Sequence, residues 1–485
     1  MDYRVIGRAT HRALLHRQSR LGGAAASGCL AALLISSPAW SFCPAALPAR
    51  LETLLRQDRS IRWSIAIADL EGRSLFRYRA TEALIPASNQ KLLTTIAALK
   101  QLGSEARLQT RLWLQSSQQV LILEGAGDPS FNRTGIDALA AAVPRDRYSQ
   151  LIGLDDPPSG YWPAAWSALD RQQGYGAPLN RLILLENAHQ LTLQPRALGQ
   201  PLGVIWEDPL DSQRWQVRNR SRTVASQAAE FINLDRDPLR PILTVAGQLR
   251  VGSESEPVAI AATQPGQRFL EAFQRRLQSA GSSVETVRLQ TSWPSGDRTL
   301  LTTVDSPPLR ELIRTTNEDS QNLYAEALLR WLGREGQPDP VRDRRAADQA
   351  ELRQSLQAIG ISTAGLVVDD GSGLSRRNRV SAQTLLEALL WQAQQPTNQT
   401  LRASLPIAGS GGTLRRRFTN SPLRGRVQAK TGFLTGAAGL SGFADLPNYG
   451  PIAFSILANQ PNATNLGSRI DRLVNAMAPL SRCDR

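Results

Sequence analysis

The chain has 485 residues, too many for one simple core and enough for about three domains. Its 41% apolar and 20% charged residues exclude a disordered or membrane-embedded chain. The formal net charge is +14, with three histidines, which leaves poor material for a His-rich metal site or a Ser-His-Asp triad. The arginines are scattered, with no aromatic-interleaved block of the kind that grips nucleic acid. No metal, cofactor or nucleic-acid partner is therefore expected. Of the 56 basic residues only three are lysines: Lys91, Lys100 and Lys430. Arg stays protonated, whereas a buried Lys near other cations can lose its proton and act as a base. A position that keeps Lys in so Arg-rich a chain is a candidate for such work.

In chain order, Arg4, Arg8, Arg12, Arg17 and Arg20 precede an apolar stretch, 21–35, that ends in Ser36-Ser37-Pro38-Ala39. This pattern predicts a secretory signal peptide over 1–39, cut after Ala39. An uncleaved anchor, or a lipoprotein signal at Cys29, is the alternative reading. Only Cys43 and Cys483 lie beyond the cut, and an oxidising compartment lets them pair. Ser64–Ile67 and Leu75–Tyr78 predict a hairpin about Glu71-Gly72. A helix is predicted from Ser88, with Leu92, Leu93, Ile96, Ala97 and Leu99 at helical spacing and a stop at Gly103. Lys100 falls half a turn of phase from Lys91 and is expected to face solvent. Short strands follow (110–114, 120–123, 182–185, 242–245), interrupted by one helix, 267–280. Helices return at 309–313, 323–332 and 346–358. Strands 427–430, 441–444 and 452–458 precede a last helix, 465–477. The expected division is a catalytic domain in two parts, 40–107 and 295–485, split by a strand-rich insert, 108–294, of two subdomains. A connection of that length must itself be folded.

Three short motifs carry chemistry. Ser88-Asn89-Gln90-Lys91 opens a helix, so Ser88 and Lys91 lie one turn apart on one face. The helix terminus stabilises developing negative charge, and a desolvated Lys91 can take the serine proton. Ser320-Gln321-Asn322 precedes an apolar helical run; Ser320 can relay a proton and Asn322 can hold a substrate carbonyl or orient Lys91. Lys430-Thr431-Gly432 follows a strand-like run. There Lys430 lowers the proton affinity of Lys91 and attracts a carboxylate, Thr431 offers it a hydroxyl, and Gly432 permits close approach of a substrate backbone.

Taken in this order, Ser-x-x-Lys, Ser-x-Asn and Lys-Thr-Gly resemble the motif set of penicillin-binding proteins and serine β-lactamases. Gly125–Ser130, Asp370–Ser375, Gly412–Leu414 and Gly425–Val427 narrow the likeness to class C, low-molecular-mass penicillin-binding proteins, the D-alanyl-D-alanine carboxypeptidases and endopeptidases. The resemblance runs from about residue 50 to 477. It implies an α+β, β-lactamase/transpeptidase-like domain, an antiparallel sheet flanked by helices, with a large strand-rich insert between the first two motifs. It implies Ser88 as acylated nucleophile, Lys91 as base, Ser320 as proton shuttle and Asn322 as substrate-positioning group. Lys430 and Thr431 would bind the carboxylate of the D-Ala-D-Ala stem.

Two positions depart from the pattern or extend it. Phe433 stands where the family usually has Thr, keeping the backbone N–H but losing a hydroxyl. Asp155, with Asp156, lies in a stretch similar to the family segment that reaches the substrate side chain; the competing reading is an ordinary turn before Pro157-Pro158. His189 and the tryptophans Trp162, Trp166 and Trp206 read as structural. The implied partners are peptidoglycan stem peptides and β-lactams as covalent inhibitors. The basic surface also leaves peripheral association with a membrane or a wall polymer open, and the implied location is periplasmic. A β-lactamase-like hydrolase and a non-catalytic wall-binding protein are the alternatives.

Overall fold

The computed structural model describes residues 41–155, 160–238, 240–333, 344–463 and 465–483. The expected leader and Asp156 lie outside the described residues. The catalytic body is built on a five-stranded antiparallel sheet. Its spatial order is Val427–Leu434, Ala437–Leu446, Gly450–Asn459, Arg62–Asp69, Ser74–Tyr78. Strand Arg62–Asp69 shows why two layers cover it. Alternate side chains point to opposite faces: Trp63, Ile65 and Ile67 enter one core, Ala66 and Ala68 the other. The large side chains meet helices Leu47–Arg56 and Leu466–Ala476. The small ones let helix Gln90–Leu102 approach closely. Residues 90–99 of that helix are all buried, Gln90, Lys91, Thr94 and Thr95 among them, so it sits in the centre of the body. Helices Leu309–Glu318, Asn322–Leu332, Arg344–Ala358 and Ala382–Ala393 surround it. Lys100, at the end, is exposed as its phase predicts.

Between the strand pair and helix at the start and Leu309, the chain leaves the body and returns. A second five-stranded sheet, ordered Ser283–Gln290, Arg147–Leu154, Val120–Glu124, Gln109–Gln115, Thr299–Asp305, packs on helices Arg133–Ala141 and Pro265–Ser279. Thr299–Asp305, expected in the second part of the catalytic domain, is thus an edge strand of this sheet, paired with Gln109–Gln115. A further unit is made of two three-stranded sheets around one core. They are Phe231–Arg236, Ile242–Arg250, Gln216–Val224 and Glu256–Ala261, Ala188–Gln194, Gly203–Trp206.

The apolar run 182–185, predicted as a strand, is not one. Leu182 and Leu184 are buried, but the chain then turns through Leu185, Glu186 and Asn187 at φ +51°, +56° and +49°. Three successive non-glycine residues in the left-handed region are costly. The turn is held because Leu185 N donates to Phe131 O at 2.9 Å and the Asn187 amide bonds Pro178 O and Asn180 Oδ1. At the ends of the chain Cys43 and Cys483 are joined in a disulfide, their Cα atoms 5.5 Å apart. Phe42 and Leu480 bridge beside it.

Candidate active site

Ser88 sits in a single 3-10 turn, Ala87–Asn89, that leads directly into helix Gln90–Leu102. Ala87 precedes it at φ +48°, fully buried. This left-handed residue costs about 1–2 kcal/mol and survives only where its surroundings fix it. They do. A Cβ on Gly432 would lie 2.7 Å from Pro86 O and 3.0 Å from Ser88 N, and one on Gly373 would collide with Ala87 O. Strand Val427–Leu434 and the Asp370–Ser375 segment therefore both press on the nucleophile turn. This corrects the expected reason for Gly432: what approaches it is the serine's own backbone.

Lys91 is fully buried one turn on. Its Nζ lies 3.0 Å from Ser88 Oγ, 2.7 Å from Asn322 Oδ1 and 2.7 Å from the carbonyl of Ser372. The two carbonyl oxygens accept only, so each takes one N–H of the amine. Nζ also reaches Ser88 Oγ, so an amine that has given up a proton would stand against the nucleophile as a base. Asn322 is oriented from its other side, where Nδ2 donates to the backbone carbonyl of Tyr175 at 3.0 Å. Ser320, two residues earlier, is buried at φ +60°.

The Ser372 carbonyl is itself fixed. Thr94 Oγ1 donates to Gly371 O, and Glu326 accepts from the N–H groups of Gly371 (3.2 Å) and Ser372 (2.8 Å). Glu326 lies one turn after Asn322 on the same helix and is fully buried. Burial first, then the neighbouring Asp370 carboxylate, pushes its carboxyl up to about 8. Asp370 accepts from Gly373 N, Ser375 N, Asn378 Nδ2 and Trp166 Nε1 at 2.6–2.8 Å. Sequence reasoning missed Glu326, Ser372 and Trp166 in this arrangement; Asp370 and Ser372 were noticed only as parts of a phrase.

Lys430 is also fully buried, its Nζ donating to Thr431 O at 2.9 Å, and Thr431 Oγ1 lies 2.7 Å from Thr413 Oγ1. Lys430 and Thr431 sit on an edge strand, Val427–Leu434. Its outer side is paired with the 406–408 segment as far as Ala429, through Ala408 N to Val427 O and Ala429 N to Pro406 O. Among the described residues no strand pairs with Thr431–Leu434 on that side. Phe433 is exposed along this open edge.

The sequence profile of the D-Ala-D-Ala carboxypeptidase 3 (S13) family matches residues 47–478. The chain belongs to this family. As an S13 peptidase it is similar to a D-alanyl-D-alanine carboxypeptidase from Actinomadura sp. strain R39. The two are 30% identical over 431 residues, 81% of this chain and 77% of that protein. Its fold is like that of penicillin-binding protein 4 (dacB) from Haemophilus influenzae. The TM-score is 0.72 at 21% identity, covering 88% of this chain and 98% of the other. A structure of that protein complexed with a β-lactam matches at a TM-score of 0.70. The expected α+β, β-lactamase/transpeptidase-like fold is borne out.

One expected position falls outside the site. Asp155 is fully buried in the insert and accepts from Asn180 Nδ2, Arg181 N and Leu182 N at 2.7–3.3 Å. Its carboxylate ties down backbone and does not face a substrate, so the side-chain-recognition role expected of it is corrected. His189 is buried against Asp211, Nδ1 to Oδ2 at 2.8 Å, with burial holding its pKa below the usual histidine value. That supports its structural reading.

Proposed function

We propose that this S13 peptidase cleaves the D-Ala-D-Ala bond of peptidoglycan stem peptides through an acyl-enzyme on Ser88, and that β-lactams acylate the same serine. The observation that carries the reading is the fully buried Lys91 amine held by two acceptor carbonyls and left facing Ser88 Oγ at 3.0 Å. The substrate adds as an extended segment along the open edge at Thr431–Leu434, where backbone hydrogen bonds align it. Its terminal carboxylate meets the Thr413 and Thr431 hydroxyls with Lys430 behind them. Ser88 Oγ attacks the carbonyl carbon of the penultimate D-Ala and its proton passes to Lys91. The N–H of Ser88, at a helix start where it has no intrahelical acceptor, and the N–H of Phe433 take the developing oxyanion. The proton then moves to the departing D-Ala nitrogen by way of the Ser320 hydroxyl, and the C–N bond breaks. Water resolves the ester with Lys91 again as base. Phe433 lacks the hydroxyl of the usual Thr, so carboxylate recognition rests on Thr413 and Thr431.

An acidic group linked to Asn322 through Tyr175 is Asp170. Its Oδ1 accepts from the hydroxyl of Tyr175, whose ring is partly exposed and whose carbonyl holds Asn322. This favours Asp170 as the partner for a free amine on the stem. Asp170→Asn should raise KM for a diamino-acid stem peptide while leaving an uncharged analogue unchanged; equal effects on both would remove this assignment. The leader expected over 1–39 and the Cys43–Cys483 disulfide support an extracytoplasmic, periplasmic location. Digestion of purified sacculi, with muropeptide masses read out, tests the function: release of terminal D-Ala or opening of cross-links is expected. Intact muropeptides after incubation with folded protein would refute it.

A further inference from the structure

The outer unit of the insert bears a surface unconnected with the site. Along its edge strand Gln216–Val224, Ser221 and Thr223 are buried while Arg218, Arg220 and Arg222 are exposed. Residues two apart project on one face of a strand, about 7 Å from each other. The three guanidinium groups therefore form a straight ladder. Nearby Arg240 and Arg250 are paired with Asp237 and Glu230. Among the described residues the ladder arginines have no acidic partner; the acid on that sheet face is Asp235, on the far strand opposite Thr244, which itself registers with Arg218.

One end of the same sheet is apolar and exposed. Strands Gln216–Val224 and Ile242–Arg250 run parallel and Phe231–Arg236 antiparallel, so Val224, Arg250 and Phe231 share an end. Val251 follows there, its N–H on Val224 O, and the Leu198 loop crosses the same end, with Gly199 N on Thr223 O. Leu198 is 64% exposed, Val251 43% and Phe231 42%. The opposite end is tied toward the active site: Arg236 N donates to Gln172 Oε1, Gln173 Nε2 donates to Leu234 O, and Tyr175 follows two residues on. The apolar end thus points away from the site by about a strand's length, ~20 Å.

We propose that this tip is a docking surface for an anionic phospholipid bilayer, with Leu198, Phe231 and Val251 entering the headgroup region and Arg218, Arg220 and Arg222 lying over the phosphates. Apolar side chains rimmed by arginines are the chemistry of interfacial binding, and the ladder's charge complements anionic lipid. A soluble wall polymer would use the arginines alone and leave three exposed apolar side chains without a purpose. The surface is independent of the catalytic reading.

The test is co-sedimentation of the purified protein with vesicles of phosphatidylcholine alone and of phosphatidylcholine with phosphatidylglycerol. Retention is expected on the anionic vesicles only, weakening as salt is raised. Each arginine near an anionic surface contributes about fivefold, so the triple variant Arg218→Gln, Arg220→Gln, Arg222→Gln should bind about a hundredfold more weakly. The variant Leu198→Ser, Phe231→Ser, Val251→Ser should lose roughly tenfold or more. Hydrolysis of a soluble peptide should be unchanged in both, which confirms that they fold. Equal retention of wild type and either variant would overturn the proposal. So would retention on purified sacculi, but not on vesicles, that depends on the same arginines.

Discussion

In the catalytic body Lys91, Lys430, Glu326 and Asp370 are all buried, and each is held by named hydrogen bonds. The outer unit of the insert does the reverse and displays Arg218, Arg220 and Arg222 to solvent. Among the described residues the insert nevertheless reaches the site through side chains and backbone alike. Trp166 donates to Asp370, the Tyr175 carbonyl takes the Asn322 amide, and Glu186 Oε2 takes Gln321 Nε2 at 2.8 Å. Charges that do chemistry need a fixed, desolvated setting, and most of that setting comes from outside the three motifs. Charges that meet a surface need only be accessible.

Perturbing each side of this contrast should give graded effects. Lys91→Arg keeps the cation and removes the base. Labelled-penicillin acylation should fall by about a thousandfold, within the range of lost general-base catalysis, while Lys100→Arg on the same helix should be silent. Lys430→Arg should cost more than charge alone suggests. Charge retention predicts a mild effect, but the side chain is fully buried and a guanidinium needs extra volume. Overpacking of about 1–3 kcal/mol should lower kcat/KM roughly tenfold or more.

Trp166→Phe removes one donor from the buried Asp370 carboxylate at the junction of insert and body. The expected loss is about 1–3 kcal/mol in denaturant stability, with a smaller fall in kcat than for Lys91→Arg. The last effect is a pH dependence. The folded-state pKa of Glu326, about 8, lies above its ordinary value of 4.5. Between these the folded protein holds a proton that the unfolded chain has lost. The contribution to stability is therefore complete below about 4.5 and is lost as pH rises through about 8. Glu326→Gln should flatten the fall in the urea midpoint between those values.

Much of the site was legible because composition singled it out. Two of three lysines fall in motifs whose spacing places them on a helix face and a strand edge, and the structure puts them there. Ser372 and Glu326 escaped because their roles exist only through burial and contact: a backbone carbonyl has no sequence signature, and Glu326 sits in an apolar helical run. Asp155 misled for the opposite reason. A carboxylate in a turn looks available, but three donors from Asn180, Arg181 and Leu182 enclose it. The apolar run 182–185 lacks the strand its composition suggests because the chain turns through left-handed Leu185, Glu186 and Asn187. Helix Arg133–Ala141 went unread because Thr134, Gly135 and Asp137 weaken its pattern; Asn132 caps it through its side chain. Strand Thr299–Asp305 was misassigned because pairing across nearly two hundred residues leaves no local mark.

The central claim is that Ser88 is the residue Lys91 activates. Incubation with a labelled penicillin, followed by proteolysis and peptide mass spectrometry, tests it directly. The adduct should fall on the peptide containing Ser88 and disappear in Ser88→Ala. An adduct on Ser320 or Ser372, or none on the folded protein, would contradict the account.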